Sequence, residues 1–152
     1  MKFVKIPFNG QEIEVSSDYY MENGIRMPLD VPRALEIARI HNAVLPTKEI
    51  VDAIWRAADL KLLPTPLPPG PDMTKFAYFK RHNDLIEEQI SNSTFTLIAG
   101  HKKDILQPMR SGRVTIYGWH RANGTPIQPV SNVHGAYYAD YSHGLRLVRL
   151  LK

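Results

Sequence analysis

The feature that most constrains this chain is a change of period near residue 94. Before it, apolar residues recur at helical spacing within 31–41, about 48–58 and 74–90; after it they alternate. Thr94–Ala99, Arg113–His120, roughly 135–140 and Leu145–Leu150 read as strands, with Gly100, Gly112, Asn123-Gly124 and Gly144 as punctuation. Helices first and antiparallel strands second predict an α+β fold with segregated layers. At the start, two alternating runs flank Asn9-Gly10, a strong hairpin signal because a type I′ turn needs positive φ twice. The expectation is therefore an N-terminal hairpin and about three helices packed on a C-terminal antiparallel sheet, in a single domain over 1–152. Its mainly helical half is 1–93 and its β half is 94–152.

Local signals give this outline its detail. In the hairpin, Ile13 and Val15 should face inward, with Glu12 and Glu14 outward. Asp30 is placed to cap the first helix, with Pro32 in its first turn, and Ala34, Leu35, Ile37, Ala38 and Ile40 form an apolar stripe. His41 falls where a cation suits the helix dipole. Thr47 caps the second helix, which should bury Ile50, Val51, Ile54, Trp55 and Ala58. The run 63–71 holds Pro64, Pro66, Pro68, Pro69 and Pro71 and reads as a stiff connector laid over the surface. On the third helix Phe76, Phe79, Ile86 and Ile90 share a stripe. His82 lies on that stripe as a partly buried residue, and Asn83 and Asp84 are placed to face the sheet.

Composition narrows the chemistry. With no cysteine in 152 residues, disulfides, thiolate nucleophiles and Cys-ligated zinc are excluded. No apolar run approaches the roughly 20 residues of a membrane-spanning helix. The opening Met-Lys-Phe-Val-Lys-Ile-Pro-Phe-Asn-Gly lacks a signal-peptide core, so the expectation is a cytoplasmic protein that does not engage the membrane. Charge is split between the halves. Residues 1–100 carry 11 Lys and Arg against 13 Asp and Glu, a net −2; residues 101–152 carry 8 against 2, a net +6. A one-sided positive field favours an anionic small molecule or nucleic acid as partner. Oligomeric state is not legible in these features.

The densest chemistry lies at 131–149, where His134, Tyr137, Tyr138, Asp140, Tyr141, His143, Arg146 and Arg149 sit on what reads as two short strands and a turn. On an extended strand His134, Tyr138 and Asp140 share a face. Asp140 is close enough in sequence to His143 to hold its tautomer. Four of the six histidines, His101, His120, His134 and His143, fall in the β half at strand ends or turns. The candidate catalytic set is His120, His134, Asp140 and His143. The candidate ligand-binding set is His101, Lys102, Lys103, Trp119, Tyr138, Tyr141 and Arg146. Ser142 would point away from His143 on a strand, which argues against a serine nucleophile.

Three chemistries fit these parts. Metal-free phosphodiester cleavage needs an imidazole base, an acid for the leaving oxygen and fixed cations where charge develops. In that reading His134 or His120 is the base, His143 oriented by Asp140 is the acid, and Lys102, Lys103 and Arg146 hold the anion of a nucleotide-derived ligand, a cyclic oligonucleotide or RNA. No cofactor is needed. The element order is similar to that of small bacterial ribonucleases of the barnase kind, a likeness of fold without a shared motif. The first alternative is a cell-wall hydrolase of the phage-lysin type. Ser131…His134…Asp140…His143 resembles the D-Ala-D-Ala carboxypeptidase and lysostaphin group, and three neutral histidines with Asp140 would hold zinc. The His–Asp gap is one residue short of that pattern and no Glu follows Glu88 to act as base. The second alternative is a binding protein that sequesters a nucleotide by stacking on Trp119 and the tyrosines.

Ala99-Gly-His-Lys-Lys-Asp104, Tyr117-Gly-Trp-His120 with the following Asn-Gly-Thr-Pro-Ile-Gln-Pro129, and Tyr138-Ala-Asp-Tyr-Ser-His-Gly-Leu-Arg-Leu-Val148 resemble segments of a functionally uncharacterised bacterial and phage family. The segment Leu45–Trp55 is similar as well, so the resemblance spans most of the chain. It implies a unitary domain and carries no activity, cofactor or site residue.

Overall fold

Asn9 and Gly10 both take positive φ, 50° and 74°, as a type I′ turn requires. That turn folds β1 (Phe3–Phe8) back on β2 (Gln11–Ser16) as an antiparallel pair. Ile13 and Val15 are buried while Glu12 and Glu14 face outward, as the alternation predicts. The last strand, β11 (Val148–Leu150), pairs with the free side of β2, so both ends of the chain meet in one three-stranded sheet. The structure is a computed structural model that describes residues 1–151.

After a small hairpin of β3 (Met21–Glu22) and β4 (Ile25–Arg26), α1 runs Val31–Ile40. Asp30 Oδ1 accepts the Arg33 amide at 3.0 Å and Pro32 lies in the first turn. The helix buries Val31, Ala34, Ile37 and Ala38, whereas Leu35 and Ile40 are exposed. At about 100° per residue Ile40 falls opposite Val31 and Leu35 at the far edge of the stripe, so the apolar face is narrower than the composition suggests. Thr47 caps α2 (Lys48–Ala57) through its hydroxyl, 3.3 Å from the Ile50 amide. Ile50, Val51, Ala53 and Ile54 are buried there, and Trp55 is only half-buried. A short 3₁₀ turn (Pro71–Thr74) leads into α3 (Phe76–Ile90), whose buried face is His82, Asn83, Ile86 and Ile90. Phe76 is exposed, and so is Asp84, which pairs with Lys80 along the helix.

The β half departs furthest from expectation. Of Thr94–Ala99 only β6 (Ile98–Ala99) is strand, and it pairs in parallel with β5 (Leu60–Lys61). The site-bearing sheet has the order β10 (His143–Gly144), β7 (Lys103–Ile105), β8 (Ile116–His120), β9 (Pro126–Ser131). Its β10–β7 pair is parallel and the other pairs are antiparallel. β9 is hidden in the sequence by Pro126 and Pro129, which a strand tolerates here because it lies at the sheet edge. The strand expected near 135–140 does not form. Tyr138 N closes a turn on the Gly135 carbonyl, and Asp140 Oδ1 accepts the Ser142 amide, a side-chain turn that competes with extended backbone.

The proline-rich run is not a free connector. Leu67 is buried against Trp119 and Tyr141, and its backbone N–H donates to the Tyr141 hydroxyl at 2.8 Å. Tyr78 donates to the Pro68 carbonyl at 2.7 Å, and the Gln89 amide bonds both the N–H and the carbonyl of Leu63. Because prolines supply no N–H, the strap is held by the few donors it has and by side chains reaching its carbonyls. It closes over one face of the sheet at Trp119. No helix among the described residues is long and apolar enough to cross a membrane.

Candidate active site at the sheet rim

The pairing register sets His143, Lys103 and Gly118 abreast on three neighbouring strands. A bulge in β8 between Ile116 and Gly118, with Gly118 at φ 123° and Trp119 at φ 61°, changes which way the following side chains point. Tyr117 and His120 reach Asp52 on α2, at 2.7 Å and 2.8 Å. Trp119 instead packs against Leu67 and Tyr141, with the Lys103 ammonium 5.1 Å from its ring.

The loop between β9 and β10 then brings its polar residues onto Lys103's neighbourhood. His134 stacks on Tyr138 with ring centroids 3.9 Å apart, and both are half-buried. Tyr138 donates to Asp140 Oδ2 at 2.8 Å. The Ser142 amide and hydroxyl donate to Asp140 Oδ1 at 2.8 Å and 2.6 Å. Asp140 Oδ2 stands 3.6 Å from His143 Nε2, close enough for charge interaction and too far for a hydrogen bond. His143 is fully buried, and neither of its ring nitrogens has a partner. Its ring lies 6.4 Å from His134 and 5.7 Å from Tyr138.

Burial, reinforced by Lys103 and His134, lowers the His143 imidazole to about 4, so it is neutral near pH 7. Burial pushes the Asp140 carboxyl up, but His143, the Ser142 bonds and the Tyr138 bond outweigh it and hold the group below its ordinary value. Burial and the bond to Asp140 raise Tyr138, which stays a phenol. The rim thus holds a neutral imidazole, a fixed carboxylate, a phenol donor and a lysine. His134 is the imidazole nearest solvent.

His134, Tyr138, Asp140, His143, Lys103 and Trp119 come together here. His120 is drawn off to its own pair with Asp52, with Trp55 stacked on it at 5.7 Å. His101, Lys102 and Arg146 lie in the interior. His101 Nε2 bonds Asp18 at 2.9 Å. The Lys102 ammonium meets His82 Nδ1 at 3.0 Å and the Tyr141 carbonyl. Arg146 donates to the carbonyls of Ser16 and Ile98 and lies over the Tyr19 ring. All three are 1% exposed, so their charge serves internal partners where the sequence suggested a ligand contact. Tyr141 is buried and anchors the strap. Ser142 lies in the turn before β10, where its hydroxyl donates to Asp140.

Asp52, Asp18 and Tyr19 are polar partners that sequence reasoning missed, whereas His82 is buried and partnered on α3 much as its place on the stripe suggested. Asp52 had no local signal, because α2 reaches β8 only through the fold. Asp18 and Tyr19 follow a short strand and look like turn residues. Among the described residues, no group of three or more His, Asp or Glu side chains is placed to hold a metal ion, so the His-and-Asp140 zinc set is not assembled. Comparison with family models, with curated proteins and with solved structures finds no match to this chain.

Proposed function

We propose that this chain is a small hydrolase that cleaves a phosphodiester bond in a nucleotide-derived ligand at the rim formed by His134, Tyr138, Asp140, His143 and Lys103. The observation that carries this reading is the unpartnered, fully buried imidazole of His143. Leaving a buried polar group unpaired costs about 1–3 kcal/mol, and such a group calls for a reason. Proton transfer is one, and the neighbouring carboxylate, phenol and lysine suit it.

The roles differ from the simplest assignment by sequence. His143 is neutral near pH 7, so it serves as base once the half-buried His134–Tyr138 stack beside it moves aside to admit the ligand: it takes the proton of the attacking hydroxyl as the new P–O bond forms. Asp140 stabilises the imidazolium that results. His134, the solvent-facing ring, gives its proton to the departing oxygen as the old P–O bond breaks. Lys103 faces the charge developing on the phosphoryl oxygens.

The test is turnover of linear and cyclic dinucleotides and of a short RNA by the unaltered protein and by His134→Ala. Half-buried His134 is removable without opening the core, so the variant should stay folded and lose about 10²- to 10⁴-fold in kcat/KM. If the unaltered protein binds these ligands and returns them uncut after denaturation, the hydrolase reading is replaced by one of capture without turnover.

A further inference from the structure

Beside the rim, the surface changes character. From Ile105 to Ala139 the chain contains no Asp or Glu, while Arg110, Arg113 and Arg121 fall within that span. Two of these arginines stand next to the site. Arg113 forms a bridge with Gly135 and donates from Nη1 to the Val133 carbonyl at 3.0 Å. The Arg113 amide closes a turn on the Arg110 carbonyl. Both side chains are exposed. On the same loop Val133 is 71% exposed and Tyr137 82%, the largest exposures among the chain's exposed large hydrophobic residues. Tyr137 precedes Tyr138 in the chain, so its backbone is one residue from the His134–Tyr138 stack. Arg33, on the neighbouring helix, is engaged by Glu22 and Glu36 and does not join the patch.

An exposed tyrosine beside arginines that have no carboxylate partner among the described residues is a poor solvent face and a good stacking platform, and the one acid close in sequence, Asp140, is buried and held by Tyr138 and Ser142. A nucleobase offers a π-face to the ring, and its phosphates suit the guanidinium groups. Base pairing hides that π-face, so the platform selects unpaired strands. We propose that Tyr137, Val133, Arg113 and Arg110 form a binding surface for single-stranded RNA running outward from the rim. The inference rests on the hydrolase reading for its choice of RNA, whose 2′-hydroxyl presents a nucleophile already in place beside the scissile phosphate. It extends the ligand from a small nucleotide to a polynucleotide.

The experiment is fluorescence anisotropy with a short labelled oligouridylate in 2′-O-methyl form, which lacks the free 2′-hydroxyl and stays intact. Tyr137→Ala should weaken binding roughly 5- to 100-fold, and Tyr137→Phe should bind like the unaltered protein. Arg113→Ala should reduce the slope of log affinity against log salt by about 0.7. A duplex of matching length, whose bases are already stacked and paired, should bind more weakly. Unchanged affinity in both Tyr137→Ala and Arg113→Ala, or equal affinity for the duplex, overturns the proposal. Cleavage of a dinucleotide by the unaltered protein reads the rim alone. Dinucleotide turnover without oligomer binding defeats this surface only, and oligomer binding through Tyr137 without any turnover defeats the hydrolase reading only.

Discussion

Two polar clusters lie within a few residues of each other in this fold, and they are built on opposite terms. In the interior, Asp18 receives Arg26 at 2.7 Å and His101 at 2.9 Å. Arg26 also meets Asn83 and Glu87, Tyr19 donates to Asp104 at 2.6 Å, and Lys102 joins His82 to the Tyr141 carbonyl. There every charged group has at least one partner, as burial demands, although His101 Nδ1 and Arg146 Nε are left without one. At the rim, Asp140 is equally well held, but His143 beside it has none. The lesson is that density of histidine and aspartate does not mark a site. The interior residues are engaged with one another, and the rim is the candidate site because the whole imidazole of His143 lacks a partner beside half-buried His134 and Tyr138.

The interior can be broken most severely at Arg26. Arg26→Ala leaves Asp18 buried with only His101 and the Tyr19 amide for partners, and stability should fall by about 3–5 kcal/mol. Urea denaturation followed by tryptophan fluorescence checks this, and a loss under 1 kcal/mol would mean that the interior network is not what holds the hairpin to α3.

Acid should separate the two clusters by a smaller amount. His101 and His143 are depressed to about 4 and His82 to about 2, burial being the largest cause in each. Since their folded pKa values lie below the unfolded value of about 6.5, the folded state binds fewer protons between the two. Stability is therefore fully present above that value and is lost as pH falls through about 4. Asp104, raised to about 6 by burial, runs the other way: its contribution is fully present below its unfolded value and lost as pH rises through 6. Several histidines against one carboxyl predict a net loss on acidification on the order of a few kcal/mol. Denaturation midpoints between neutral pH and pH 4 measure it. His143→Gln should shallow this slope while leaving the His101 part, and an unchanged slope would show that burial does not depress the rim imidazole.

The finest distinction is at Ser142, whose hydroxyl donates to Asp140. Ser142→Ala should cost only about 1 kcal/mol, because Asp140 keeps the Ser142 amide and Tyr138. Its effect on turnover should be far below that of His134→Ala. A loss as large as that of the histidine variant would promote Ser142 from a prop to a participant.

Much of the frame was legible in advance. Asn9-Gly10, Asp30, Thr47 and the period of α2 act through a few neighbouring residues, so local chemistry specifies them. The strand expected near 135–140 failed because Gly135 and Asp140 offered the backbone turns that compete with pairing. β9 went unseen because its prolines are forbidden in a sheet centre and harmless at an edge, and edge position is a tertiary fact. The site was half legible: the loop at 131–149 supplied His134, Tyr138, Asp140 and His143, with Lys103 from the adjoining strand. His101, Lys102, His120 and Arg146 are as close to them in sequence, but Asp18, His82, Asp52 and the Ser16 carbonyl hold them elsewhere.

The sequence by itself determined that an α+β chain without cysteine would carry its positive charge and most of its histidines in the second half. Composition and period are properties of the chain, and no packing can change them. Only the tertiary structure decided which of those charges are spent. Lys102 and Lys103 are adjacent, yet one is 1% exposed and bound to His82 while the other lies half-buried over Trp119 at the rim. Successive residues on a strand point to opposite faces, and what each face meets is set by α3, the proline strap and the β9–β10 loop, which come from distant parts of the chain.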